Sequence, residues 1–162
     1  MAGRRVFFSF HYQRDVWRAS IVRNAGVVDA QAAAGWSDAS IWEEARKKGD
    51  EAIHRLINAG LNGTTVTVVL IGAETKNRKY VRYEIEQSSK RGNGLLGVYI
   101  NDIKDRNGRV DTKGDPPQLL LDYKAPCYIW DRDTFGMWVE KAAVRAGHAC
   151  LAHGRMSCTV CG

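Results

Sequence analysis

"TTVTVVLIG", residues 64–72, is a β-branched run with no charged residue in it, too short for a packed helix and too apolar for a strand wetted on one face. Such a run is a strand covered on both sides, which puts it in the middle of a sheet. A second run of the same kind, "LLGVYIN" at 95–101, follows it, and between them "KYVRYEIEQSS" at 79–89 has helical periodicity. Strand, helix and strand in that order predict a crossover unit with parallel strands and a right-handed connection.

The flanking sequence extends the pattern. "RRVFFSF" at 4–10 reads as another strand, followed by the loop "HYQRD" and an amphipathic helix around "DVWRASIVRNAG", in which Trp17 and Ile21 recur at helical spacing and Gly26 ends the element. "DEAIHRLINAGLNG" at 50–63 is a helix leading into the central strand, closed by glycines. Residues 101–118, "NDIKDRNGRVDTKGDPPQ", are dense in turn formers and charge, which predicts an exposed connection. "APCYIWD" and "TFGMWVEKAAVRAG" then supply a last strand and a last helix. In residues 27–44, "VVDAQAAAGWSDASIWEE", alanine and glycine dilute the strand pattern, so a short edge strand and a long loop are expected. Alternating strands and helices with near-continuous apolar strands indicate a three-layer α/β/α flavodoxin-like fold with a central parallel sheet. The unit ends at residue 147, and residues 148–162 form a tail.

A chain of 162 residues, 44% hydrophobic and 26% charged, suits one compact domain. No apolar run approaches the length of a bilayer span, and the opening "MAGRRVFFSFHYQRD" has too short an apolar core for a secretory signal, so a cytoplasmic protein without membrane contact is expected. The net charge of +6 favours anionic partners, and it equally serves solubility. The basic residues are dispersed and compose no nucleic-acid-binding module, so no nucleic-acid partner is predicted. Cys127, Cys150, Cys158 and Cys161 all fall late in the chain, which reads as reduced thiols. The closing Cys-x-x-Cys, near His148 and His153, would be half of a zinc site. Without a second regular pair it reads as a frayed terminus, and no metal is predicted.

Two glutamates in 79–89 are separated by helical phase. At roughly 100° per residue, Val81, Ile85 and Ser88 share a stripe, Glu84 lies at its edge, and Glu86 points away into solvent. A carboxylate held against the protein body is costly unless it is paired, hydrogen-bonded or functional, and all three readings stand for Glu84. In open parallel sheets ligands bind beyond the carboxyl ends of the strands, here between "SFHYQ", "SDASIW", "GAETKNRKY" and "NDIK". There is no G-x-G-x-x-G after a strand, no G-x-x-x-x-G-K-[ST], and no acidic cluster after the first strand. Ordinary dinucleotide, triphosphate and phosphorelay chemistry are therefore disfavoured.

"RRVFFSFHYQRD", "SDASIWEEARKKGDEAIHRLINAGLNGTTVTVVLIGAET" and "NRKYVRYEIEQS" together resemble the TIR-like domain proteins of the bacterial Thoeris anti-phage system, over roughly residues 3 to 105. The resemblance implies an enzyme that, once a phage-derived trigger is sensed, converts NAD into a cyclic ADP-ribose isomer. That diffusible nucleotide would activate a separate effector. It also implies that Glu84 is catalytic and that Tyr80 takes the aromatic place four positions before it, where tryptophan is commoner. NAD would be the substrate, with no resident cofactor. The loop bearing Asp38, Ser40 and Trp42 corresponds to one that borders the site, although "SDAS" also reads as a helix cap with Trp42 as its packing anchor. At the end of the first strand, Phe8 and Phe10 could stack on a base, and Ser9 or His11 could hydrogen-bond a ribose or phosphate. The alternative makes Phe8 and Phe10 core residues and His11 a loop residue. Lys76, Arg78, Lys79 and Arg82 should be mostly a solvated face, with one reaching a diphosphate. The competing function is a non-enzymatic TIR module that self-associates through these surfaces.

Overall fold

The computed structural model describes residues 3–32 and 39–148. Five parallel strands, β1 (Arg5–Ser9), β2 (Asp29–Gln31), β3 (Val66–Ile71), β4 (Gly94–Tyr99) and β5 (Cys127–Ile129), lie in the order β2-β1-β3-β4-β5. This is the flavodoxin-like order, in which the chain reverses direction across the sheet between β1 and β3. All six residues of β3 are buried, as its unbroken apolar run requires.

Strand alternation sorts the core into two layers. Val6, Phe8, Val66, Val68, Leu70, Leu96 and Val98 pack on one face with Ala19 and Val22 of α1 (Tyr12–Asn24) and with Phe135, Val139 and Ala142 of α6 (Arg132–Arg145). On the other face Phe7 packs with Trp42 and Ala45 of α2 (Ala39–Lys48) and Ile53 and Ile57 of α3 (Asp50–Leu61). Val69 and Ile71 pack there with Val81 and Ile85 of α4 (Lys79–Lys90) and Leu120 of α5 (Gln118–Asp122). The three layers read from the sequence are present.

Two local readings shift. Trp17 and Ile21 do lie on a helix, but they are 44% and 37% exposed, and the inward face of α1 is Asp15, Arg18, Ala19 and Val22. Small residues let the helix sit close to the sheet, and Arg18 is accepted inside because its guanidinium donates to the carbonyls of Ile103 and Arg109. Residues 27–44 do hold a three-residue edge strand, but α2 has already begun at Ala39. Short α5, directly after the 101–118 connection, carries too few residues to show a period.

The β3–α4 corner is fixed by buried polar contacts. Thr75 Oγ1 accepts from the Gly72 amide at 2.8 Å and donates to the Leu70 carbonyl at 3.3 Å. Along α4, Ser88 Oγ lies 2.6 Å from Thr67 Oγ1 of β3 and 2.6 Å from the Glu84 carbonyl, and Asn93 donates to Thr64 and Thr67. This ladder sets the rotation of α4 about its axis. At the opposite side of the molecule, Arg4 forms a two-point ion pair with Glu140 of α6 at 2.7 and 2.8 Å and donates to Thr65.

Candidate active site

The rotation of α4 turns Glu84 inward to 4% exposure at the carboxyl end of β1. Glu86 stays at the surface, paired with Arg82 at 3.1 Å. Burial pushes the Glu84 carboxyl well above the usual glutamate range, while Ser9 pulls it down. Ser9 Oγ, which exerts that pull, is buried and has no fully formed hydrogen bond to any described residue. An approaching cation would favour ionisation of Glu84, since opposite charge stabilises the carboxylate.

Around Glu84, the side chains of Phe8, Phe10, Tyr12 and Trp42, with Ala32, line a small chamber of only about 10 Å³. Immediately outside lies a cleft of about 600 Å³, whose lining includes His11, Tyr12, Trp42, Arg46, Arg78 and Tyr80. Tyr12 and Trp42 line both spaces, so they are the partition between them. Phe10 stacks on Tyr12 with centroids 5.7 Å apart, Tyr12 on Trp42 at 5.5 Å, and Trp42 meets Tyr80 edge-on at 5.6 Å. Tyr80 is itself anchored, because its hydroxyl donates to Asp50 at 2.6 Å and Asp50 also holds Lys79 at 3.0 Å. Those two hydrogen bonds, Tyr80 first, hold the Asp50 carboxyl below the usual aspartate range.

The predicted residues separate into groups. Ser9, Phe10, His11, Trp42, Tyr80 and Glu84 converge on the chamber and cleft. Phe8 touches the chamber while its ring, 1% exposed, stacks on Phe135 in the core, and Trp42 is both partition and core anchor at 7% exposure. These two pack in the core and also line the chamber. Ser40 is exposed and lines neither space, and Asp38 lies outside the described residues, as does the tail from residue 149. Of the four predicted rim segments, "NDIK" contributes no lining residue, because Ile103 is buried in the core and its carbonyl holds Arg18. Sequence reasoning named Tyr12 only within the rim segment "SFHYQ" and missed Arg46 and Asp50. Tyr12 opens α1 directly after the strand end, which was a usable signal, whereas Arg46 and Asp50 reach the cleft only through the packing of α2 and α3 on α4.

Residues 7–105, the span that holds every one of these side chains, match the profile of the Thoeris protein ThsB, TIR-like domain. The chain belongs to the Thoeris ThsB TIR-like family. It is also 51% identical over 147 residues to a protein of Bacillus cereus (strain MSX-D12) provisionally named cyclic ADP-D-ribose synthase ThsB1, an alignment covering 85% of this chain and 75% of that one. In this ThsB-family chain the matched region runs from β1 through β4 and includes Glu84, so site and family domain coincide. No helix among the described residues is long and apolar enough to cross a membrane.

Proposed function

We propose that this ThsB-family protein cleaves NAD, releases nicotinamide and closes the remaining ADP-ribose into a cyclic signal that activates a separate effector during phage infection. The observation that carries the reading is the buried carboxylate of Glu84, set behind aromatic rings at the carboxyl end of β1 and beside a cleft large enough for a dinucleotide. The name of the Bacillus cereus relative supports the same chemistry. NAD enters as substrate, and no resident cofactor is needed.

The chemistry suits so spare a site. The bond from the ribose anomeric carbon to the pyridinium nitrogen breaks, its electron pair leaves with neutral nicotinamide, and no proton donor is required. Ionised Glu84 stabilises the developing oxocarbenium ion. A hydroxyl elsewhere in the same molecule then bonds to the anomeric carbon and gives up its proton, which the carboxylate can accept. Intramolecular capture competes well because positioned groups reach effective molarities on the order of 10⁵ M. Phe10, Tyr12, Trp42 and Tyr80 exclude water from that step.

Incubating the purified protein with NAD, with and without lysate from infected cells, and separating products against linear ADP-ribose tests the reading. Nicotinamide with a cyclic major product is expected, and linear ADP-ribose alone would instead indicate a depleting hydrolase. The non-enzymatic alternative draws on the small size of the 10 Å³ chamber. In the catalytic reading that narrowness belongs to a resting state that a phage-derived trigger, or association of several chains, relieves. Absence of nicotinamide release under every trigger condition would favour the alternative.

A further inference from the structure

Four cations precede or begin α4, and the structure separates them. Lys76 is paired with Asp115 at 3.2 Å, Lys79 with Asp50 at 3.0 Å, and Arg82 with Glu86 at 3.1 Å. The Arg78 guanidinium has no hydrogen-bond or ion-pair partner among the described residues, and it lines the 600 Å³ cleft. Arg46 lines the same cleft from α2, tied only loosely to Glu43 at 3.4 Å. His11 lies close enough for its charged form to be disfavoured by Arg78 after the larger effect of burial, and its Nδ1 is buried without a hydrogen-bond partner. An unpaired guanidinium and an unsatisfied imidazole nitrogen, facing a second arginine across a cleft, match the donor-only demand of a diphosphate.

We infer that Arg78 is the diphosphate-binding residue of this site, with His11 and Arg46 completing the subsite, so that dinucleotides are selected over uncharged nucleosides in the outer cleft and not at Glu84. The inference rests on the NAD-cleaving reading for its substrate, but binding alone can test it. Placing the diphosphate in the outer cleft sends the nicotinamide ribose inward, past Tyr12 and Trp42, toward Glu84.

Calorimetric titration of the purified full chain with ADP-ribose and, separately, with adenosine provides the test. Charge-assisted bonds of this kind correspond to roughly 10- to 100-fold in affinity. Arg78→Gln should therefore weaken ADP-ribose by about 10-fold or more, flatten its salt dependence and leave adenosine unchanged. Arg82→Gln, which removes the same charge from outside the cleft, should bind ADP-ribose like the parent. The inference is overturned if Arg78→Gln retains parental affinity, if Arg82→Gln weakens binding as much, or if the parent binds ADP-ribose no better than adenosine. Circular dichroism checks that the exposed substitutions leave the fold intact. Arg78-dependent ADP-ribose binding without nicotinamide release under any trigger would sustain the subsite and sink the catalytic reading. Nicotinamide release with Arg78-independent binding would do the reverse.

Discussion

At Glu84, burial makes the folded protein hold the carboxyl proton more tightly than the unfolded chain does. A folded pKa raised above the unfolded one means that stability is greatest in acid and declines as pH rises through the interval between the two. Glu84→Gln should consequently be more resistant to urea than the parent at pH 8, with the difference closing toward pH 4, while nicotinamide release falls by at least about 100-fold. Glu86→Gln should stay within about 2-fold of parental activity, since it loses only a surface pair with Arg82. A parallel loss of activity in both variants would remove the assignment of Glu84. Asp15 obeys the same sign. It is fully buried against Gly72, neither carboxyl oxygen has a hydrogen-bond partner among the described residues, and burial raises its pKa to about 6 against the opposing pull of Arg14 and Arg18. Ionising it should remove on the order of 2–3 kcal/mol of stability as pH climbs from about 4 past 6. Urea midpoints measured across that window should lose most of this slope in Asp15→Asn.

For α4, the ladder Asn93–Thr67–Ser88 does the orienting, and Ser88, its member on the helix, can be trimmed without changing any side chain that lines the chamber or the cleft. Ser88→Ala should cost about 1–3 kcal/mol by leaving Thr67 short of a buried partner. Activity should fall beyond what the unfolded fraction explains, because α4 is freer to turn Glu84 out of phase; equal losses of stability and activity would show that the ladder only stabilises. In α2, Trp42→Ala would open a core cavity costing roughly 3–5 kcal/mol, so Trp42→Phe is the cleaner probe of the partition. A smaller ring should admit water and raise the linear share of the product more than it slows nicotinamide release. The helical phase of α4 was legible because Val81, Ile85 and Ser88 mark one stripe and Glu86 the opposite side. The inner face of α1 was not, because its buried positions include Asp15 and Arg18 beside Ala19 and Val22, and the acceptance of Arg18 inside depends on carbonyls from residues 103 and 109. Ser9 and His11 could be placed from the end of one strand, but the Tyr12–Trp42 partition joins positions that only the packed layers bring together.

Across the whole molecule, the sheet brings the ends of β1 and β3 together and the helices wall them in, so the site is complete within residues 7–105 even though the core is not. The layer opposite α2, α3 and α4 needs Phe135, Val139 and Ala142 of α6. A chain ending at His148 should therefore fold and act like the parent, whereas one ending before Glu140 should fail to fold; thermal unfolding of the two truncations separates these outcomes. Stoichiometric zinc in the full chain, lost together with stability on chelation, would overturn the first expectation. The Arg4–Glu140 pair adds a matter of timing to that requirement. Its partners are 136 positions apart, so the segment leading into β1 leaves the ribosome with a guanidinium destined for burial and no carboxylate to meet it. At synthesis rates of about 5–20 residues per second that interval lasts on the order of ten seconds. Burying Arg4 before Glu140 arrives is penalised, which biases the nascent chain against closing its sheet early and exposes the apolar β1 and β3 segments to chaperones until α6 emerges.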